Sequence, residues 1–253
     1  MNRNRPIGIF DSGIGGLSVV RQLIAELPKE SLIYYADSAR APYGNKEKDQ
    51  VIGYAQRISE FLLEKGAKII VVACNTATGI AITHLRDTFS IPFVGMEPAI
   101  KPAAQASTTG KVGVLATANT FEAEHFNRTK GQYANNVEVF TAIGDGLVEL
   151  IEMGKATSDE AEKLLREYLR PMVDVGIDQL VLGCTHYPFL LPLIHKILPP
   201  NIQIHDPTPA VAQQVRRVLE EDGGLNTGTV EPQYTFHSSG DRAVLDRMVG
   251  DII

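Results

Sequence analysis

The sequence predicts an α/β fold with two pseudo-symmetric halves, each a mainly parallel sheet flanked by helices. Three observations predict it. Short β-branched runs alternate with longer segments of helical periodicity. Several of the short runs are apolar throughout, as at Ile69–Val72, which is typical of strands buried on both faces. The motifs of the first half also recur in the same order in the second half.

The first half contains four predicted strands and two predicted helices. The strands are short β-branched runs, at Ile7–Phe10, Leu32–Tyr35, Ile69–Ala73 and Phe93–Gly95. Between the first two of them, the segment Gly16–Leu27 repeats apolar residues at helical spacing. The segment before the third strand does the same, at Val51, Ala55, Ile58 and Leu62.

The second half contains a further series of predicted strands, at Val112–Ala116, Val137–Phe140, Leu180–Gly183 and Gln203–His205. A helical pattern lies between the second and third of these strands, at Ala161, Leu164, Leu165 and Tyr168. The stretch 6–12 aligns with 111–117, and 67–76 aligns with 177–186, at nearly the same spacing. This repetition favours duplicated α/β units that face each other, although any βα protein repeats a strand, a small residue and a helix cap.

Composition excludes several classes of function. The chain has 253 residues with 44% apolar content, which suits a globular protein of two domains. Its 24 Lys and Arg against 30 Asp and Glu argue against nucleic-acid binding, which needs an excess of basic residues. No apolar run approaches the length of a membrane span or a signal-peptide core. We therefore expect a cytoplasmic protein with no nucleic-acid or membrane partner.

The two cysteines occupy the same local setting in the two halves. Cys74 and Cys184 each end a predicted strand and precede polar residues suited to opening a helix. Ligands bind beyond the C-terminal ends of parallel strands, and the amides of a helix N-terminus favour a thiolate there. A single strand cysteine is more often a small buried hydrophobe. Because these are the only cysteines and their settings match, we interpret them as functional.

Two thiols in matching positions suit one kind of chemistry best. A redox pair would prefer cysteines close in sequence, and a nucleophile would leave the second thiol unexplained. A racemase must remove a proton from one face of a carbon and add another to the opposite face. That reaction needs two acid/base groups flanking one site, which the repeat of Cys74 and Cys184 would supply.

Other motifs are ambiguous when they are read alone. The Gly-rich turn Asp11–Gly16 could present amides to an anion, and Asp11 could cap a helix or assist a thiol. The segment Ala41–Asn45 has the composition of an ordinary loop. His186 could assist the neighbouring Cys184, whereas Glu152 sits in a pattern that is typical of a solvated helix face.

Four motifs together resemble the glutamate racemases, bacterial enzymes that make D-glutamate for peptidoglycan: Ile9–Leu17, Ala41–Gly44, Ala73–Ala77 and Leu182–Pro188. The resemblance spans nearly the whole chain. It implies that Cys74 and Cys184 exchange protons on opposite faces of the substrate α-carbon, with Cys184 acting on L-glutamate. It further implies that Asp11 supports Cys74 and that His186, with Glu152 behind it, supports Cys184.

The resemblance also implies a set of substrate-binding residues that hold the carboxylates and the ammonium group: Asp11, Ser12, Tyr43, Gly44, Asn75, Thr76, Thr117, Thr120, Thr185 and His186. It implies two α/β domains, 1–96 with 207–253 and 97–206, that close over a site between them. We expect the protein to use no cofactor or metal and to form a homodimer. The alternatives are a racemase of the same superfamily that acts on aspartate or another amino acid, and a non-catalytic protein that binds small anions.

Overall fold

The computed structural model describes residues 2–134, 136–250 and 252, and its strands form two sheets. The first half supplies β1 (Ile7–Asp11), β2 (Leu32–Ala36), β3 (Ile69–Val72) and β4 (Phe93–Gly95). The second half supplies β5 (Lys111–Ala116), β6 (Glu138–Ile143), β7 (Gln179–Gly183) and β8 (Gln203–His205). A last strand, β9 (Tyr234–Ser238), pairs with β2 in the first sheet. Every recorded strand pairing is parallel.

The two sheets share one topology. The first has the order β4-β3-β1-β2-β9 and the second has the order β6-β5-β7-β8. If β9 is left aside, the two strand orders correspond. In each sheet the first strand of the half (β1 or β5) lies between the second (β2 or β6) and the third (β3 or β7), and the fourth (β4 or β8) lies at an edge. The α/β fold with parallel sheets is therefore confirmed, and the sequence repeat corresponds to a repeated strand order.

Helices connect the strands and cover the sheets. Their bounds are α1 (Leu17–Glu26), α2 (Lys48–Glu64), α3 (Asn75–Thr88), α4 (Ile100–Ala106), α5 (Ala118–Glu122), α6 (Glu124–Tyr133), α7 (Leu147–Glu152), α8 (Asp159–Asp174), α9 (Leu191–Ile197), α10 (Thr208–Glu221) and α11 (Arg242–Gly250). In α1 the predicted apolar face, Leu17, Val20 and Leu23, is fully buried. Across the described residues, none of these helices has the length and apolar character needed to cross a bilayer.

The chain after β8 returns to the first sheet. Helix α10 packs against α1, and the Arg216 guanidinium binds the Glu26 carboxylate at 2.5 Å. The buried Lys68 ammonium donates to Glu30 at 2.6 Å and to the Gly224 carbonyl at 2.9 Å. These contacts attach the segment between β8 and β9 to the first half.

Candidate active site

One cavity collects side chains from the C-terminal ends of strands in both sheets. Its lining residues are Ser12, Pro42, Tyr43, Gly44, Cys74, Asn75, Thr76, Thr117, Val148, Gly183, Cys184, Thr185 and His186. The space that remains among them is about 10 Å³, which is about enough for one water molecule. Both cysteines therefore face one closed site between the halves, as the repeat predicted.

Cys74 lies at the junction of β3 and α3. Its sulfur accepts a hydrogen bond from the Ala77 amide at 3.4 Å, so the thiol acts as the N-cap of the helix. The Ser12 hydroxyl lies 3.7 Å from the same sulfur. Burial, followed by the nearby Asp11 carboxylate, raises the pKa of Cys74, while the Ala77 amide and Ser12 oppose this rise. In the closed site Cys74 is therefore held as a protonated thiol.

Among the residues that the structure describes, Cys184 has a basic partner that Cys74 lacks. Its sulfur lies 3.7 Å from Nδ1 of His186, and Nε2 of His186 lies 2.6 Å from the Glu152 carboxylate. Burial alone would lower the pKa of His186. The hydrogen bonds to Cys184 and Glu152 have the larger effect, so the pKa of His186 is raised. Nε2 lies 3.2 Å from the Gly15 amide nitrogen as well. Because the contact with the carboxylate is shorter, we assign a proton on Nε2 that Glu152 accepts, which leaves Nδ1 facing the sulfur.

Asp11 is fully buried and binds groups other than Cys74. Its Oδ2 accepts from the amides of Gly13 (3.2 Å) and Gly16 (3.0 Å), and its Oδ1 accepts from the Thr185 hydroxyl (3.2 Å). Burial raises the pKa of Asp11 to about 6. Asp11 thus organises the Gly-rich turn and ties it to the strand end that carries Cys184, and its influence on Cys74 is electrostatic.

The Gly-rich turn allows the two halves to approach closely. A Cβ on Gly13 would lie 1.9 Å from the Glu152 carboxylate, and a Cβ on Gly15 would lie 2.3 Å from the His186 ring. The Ile14 amide donates to Glu152 at 2.6 Å. The sequence left open whether this turn presents amides to an anion, and the groups that its amides bind are the carboxylates of Asp11 and Glu152.

Tyr43 is positioned by a carboxylate that the sequence analysis did not select. Its hydroxyl donates to Asp37 at 2.6 Å, and the other oxygen of Asp37 binds Arg40 at 2.6 Å. Asp37 is fully buried and directly follows β2. The rule that strand ends carry functional residues, which selected both cysteines, would have found it. Ser38, whose hydroxyl donates to Glu152 at 3.1 Å, was missed in the same way.

Asn75 and three threonines supply the remaining polar groups. Asn75 is buried, and among the described residues neither atom of its amide has a hydrogen-bond partner. The Thr76 hydroxyl lies 3.0 Å from that of Thr117 and 3.4 Å from that of Thr120, so this cluster joins the halves. A buried amide without partners is rare in folded proteins, which makes Asn75 a candidate for binding a ligand.

A model of the Asp/Glu/Hydantoin racemase family matches residues 7–215. The chain belongs to that family. The glutamate racemase of Herpetosiphon aurantiacus is 47% identical over 241 residues, or 95% of each chain. A solved glutamate racemase from Bacillus anthracis has a TM-score of 0.89 at 29% identity, covering 99% of this chain and 94% of that one. The Francisella tularensis enzyme, solved with D-glutamate, has a TM-score of 0.84 at 34% identity, with coverages of 99% and 93%.

These comparisons bear on the sequence predictions directly. The predicted family is confirmed, and relatives that are similar along nearly the whole chain are glutamate racemases. The racemase class of enzyme is therefore confirmed over the non-catalytic alternative. For the individual site residues the support is geometric. Each predicted residue either lines the cavity or forms a hydrogen bond with a residue that lines it.

Proposed function

We propose that this protein interconverts L- and D-glutamate by transferring protons through Cys74 and Cys184. The observation that carries the proposal is that thiols from equivalent strand ends of the two halves line one cavity. Racemisation needs an acid and a base on opposite faces of one carbon, and a repeated half supplies such a pair. The Francisella tularensis relative, solved with D-glutamate, supports glutamate as the substrate.

The Cys184 side provides the base for L-glutamate. His186 takes the thiol proton through Nδ1, and Glu152 stabilises the imidazolium that forms. The thiolate then removes the α-proton of L-glutamate, and the electron pair of the broken C–H bond stays on the α-carbon. Because the site is buried, the charge of the imidazolium acts on this thiolate with little screening by water.

The Cys74 side completes the reaction. The Cys74 thiol gives its proton to the opposite face of the carbanion and becomes a thiolate, which the Ala77 amide and Ser12 stabilise. Before the next L-glutamate reacts, Cys74 must take a proton from solvent and the Cys184–His186 pair must release the proton that it removed, whereas D-glutamate returns both protons by the same steps in reverse. We assign the substrate carboxylates and ammonium to the unpartnered Asn75 amide, the hydroxyls of Thr76, Thr117, Thr120 and Thr185, and the segment Tyr43–Gly44.

Substrate entry requires the site to open. A space of about 10 Å³ is far smaller than glutamate, so residues around the cavity must move apart before binding and close afterwards. Closure removes water from the thiols, which strengthens the interactions that stabilise the carbanion. The site is built across the two halves, so a relative movement of the halves opens it most directly.

The deciding experiment is a racemisation assay by circular dichroism with L-glutamate, D-glutamate and both aspartates. The protein is first dialysed against chelator, and no cofactor is added. We expect interconversion of the glutamates only. Preference for aspartate would favour the other racemase activity. Activity that vanished on dialysis and returned with pyridoxal phosphate or a metal ion would overturn the cofactor-independent mechanism.

The wider setting follows from the same proposal. We propose that the enzyme acts in the cytoplasm, where it supplies D-glutamate for peptidoglycan, and that it is a homodimer, which analytical ultracentrifugation would test. The division into domains, 1–96 with 207–253 and 97–206, stays a prediction. Limited proteolysis that cut first near 96 and 206 would support it.

A further inference from the structure

We propose that Asn119 is a positioning residue that clamps the Tyr43–Gly44 segment of the first half onto the second half when the site closes. The inference rests on the proposed function, because the clamp matters only if that segment covers a substrate. Asn119 does not line the cavity and belongs to none of the motifs that identified the site. It lies in α5, directly after the strand end of β5.

The Asn119 side chain makes two hydrogen bonds between the halves. Its Nδ2 donates to the carbonyl oxygens of Tyr43 at 3.1 Å and Lys46 at 2.9 Å. The segment Tyr43–Asn45 forms one turn of 3₁₀ helix, and the Lys46 amide closes it by donating to the Tyr43 carbonyl at 3.1 Å. Asn119 therefore holds both ends of this turn from the opposite half of the molecule.

The turn also approaches the second half through its own backbone. A Cβ on Gly44 would lie 2.9 Å from Cβ of Thr117, so the backbone of the turn closely approaches the residue that follows β5. The Thr76–Thr117 hydroxyl contact at 3.0 Å is the neighbouring link between the halves. The two N–H groups of the Asn119 amide bind two carbonyls and so fix the orientation of the turn, which hydroxyl contacts alone would not do.

The clamp acts on closure and not on the proton transfer itself. Its two bonds exist in the closed complex both before and during the reaction, so they stabilise bound substrate and transition state equally. Losing them lowers the closed fraction and weakens apparent binding. The expected kinetic signature is a rise in KM, with kcat much less affected.

Two substitutions at position 119 separate clamping from simple packing. Asn119→Ala removes both bonds, and we expect kcat/KM to fall about tenfold, mostly through KM. Asn119→Asp keeps the size but aims a carboxylate oxygen at two carbonyl oxygens, so we expect a larger loss than with alanine. If Asn119 only fills space, the aspartate variant will behave like wild type, and the proposal fails.

Asn127 provides a matched control. Its Nδ2 also donates to two backbone carbonyls, those of Phe121 (3.1 Å) and Ala123 (3.3 Å), but both belong to the same half. Asn127→Asp therefore makes the same chemical change without touching the contact between the halves. We expect its kcat/KM to stay within about twofold of wild type. An equal loss in both aspartate variants would overturn the clamp.

Hydrogen exchange tests the clamp without any assay of activity. In both Asn119 variants the amides of 43–47 should exchange faster than in wild type, while those of β1 and β3 keep their protection. Unchanged exchange in 43–47, or faster exchange spread evenly over both sheets, would overturn the proposal. If wild type racemises no glutamate, the proposed function fails, and the exchange result still decides whether Asn119 holds the turn.

Discussion

The Glu152 carboxylate and the His186 imidazole are joined by a 2.6 Å hydrogen bond between Oε1 and Nε2. The same Oε1 accepts from the Ile14 amide at 2.6 Å, and Oε2 accepts from the Ser38 hydroxyl. One carboxylate therefore orients the base beside Cys184 and also binds two groups of the other half. Its charge and its geometry can be separated by experiment.

Glu152→Gln should keep these contacts and remove the charge. With the carboxylate gone, the pKa of His186 falls, so the Cys184–His186 pair loses its last proton at lower pH. The alkaline limb of the kcat/KM profile should therefore move to lower pH, with a loss of roughly 10- to 100-fold near neutrality. Profiles of variant and wild type measured in the same buffers decide this, because the ionisation of the substrate is common to both. Superimposable profiles would contradict the role given to Glu152.

Replacing either thiol should abolish racemisation in both directions. General acid–base groups contribute about 10²–10⁴-fold each, so Cys74→Ser and Cys184→Ser should each lose at least that much kcat. The rate falls in both directions because each direction uses one thiol as the base and the other as the acid. Steady-state kinetics from each enantiomer measures the loss, and circular dichroism of the folded variants is the control. Near-normal turnover by Cys184→Ser would contradict the two-thiol assignment.

Deuterium from solvent distinguishes two bases from one. With two thiols, the proton removed from L-glutamate and the proton added to D-glutamate have different origins. In heavy water, D-glutamate formed in the first turnovers should therefore carry deuterium at the α-carbon, while unconverted L-glutamate stays largely unlabelled. Mass spectrometry of the separated enantiomers at low conversion gives the answer. Product that retained mainly protium would indicate a single base that carries the proton across.

The raised pKa of Asp11 predicts how stability depends on pH. Burial moves this pKa from 3.8 to about 6, so between these values the folded protein holds a proton that the unfolded chain has released. The stabilising contribution of Asp11 is therefore complete below pH 3.8 and is lost as the pH rises through 6. A shift of this size corresponds to roughly 3 kcal/mol.

Asp11→Asn should remove that dependence. The amide oxygen can still accept from the Gly13 and Gly16 amides, and the Thr185 hydroxyl can turn to accept from the new NH₂ group. We expect the variant to gain unfolding free energy relative to wild type at pH 7.5 and little at pH 4, with less loss of activity than the cysteine variants. Denaturant unfolding at both pH values measures the difference, and a difference independent of pH would contradict it.

The sequence predicted the strands better than the site contacts, for a physical reason. A strand buried on both faces, such as Ile69–Val72, is visible as an apolar run. Strand β9 was missed because Tyr234–Ser238 mixes aromatic and polar residues at a half-exposed edge of the sheet. Helix α3 was predicted only at its start, because Asn75–Thr88 is rich in threonine and small residues and lacks a clear apolar stripe.

The contacts between the halves were the hardest to predict. Strand ends located both cysteines, but nothing local pairs Glu152 with Ile14, or Asn119 with Tyr43, because these partners are distant in sequence. Glu152 had the pattern of a solvated helix face, and it was selected only through the family resemblance. Its function depends on how the two halves dock, which is a property of the whole fold.

The closed cavity also governs the redox exposure of the enzyme. Cys74 and Cys184 are only 5% and 8% exposed, so an oxidant reaches either sulfur mainly while the site is open. Bound glutamate favours the closed form and so shields the thiols during turnover. We therefore expect peroxide to inactivate the enzyme more slowly in saturating glutamate than without substrate.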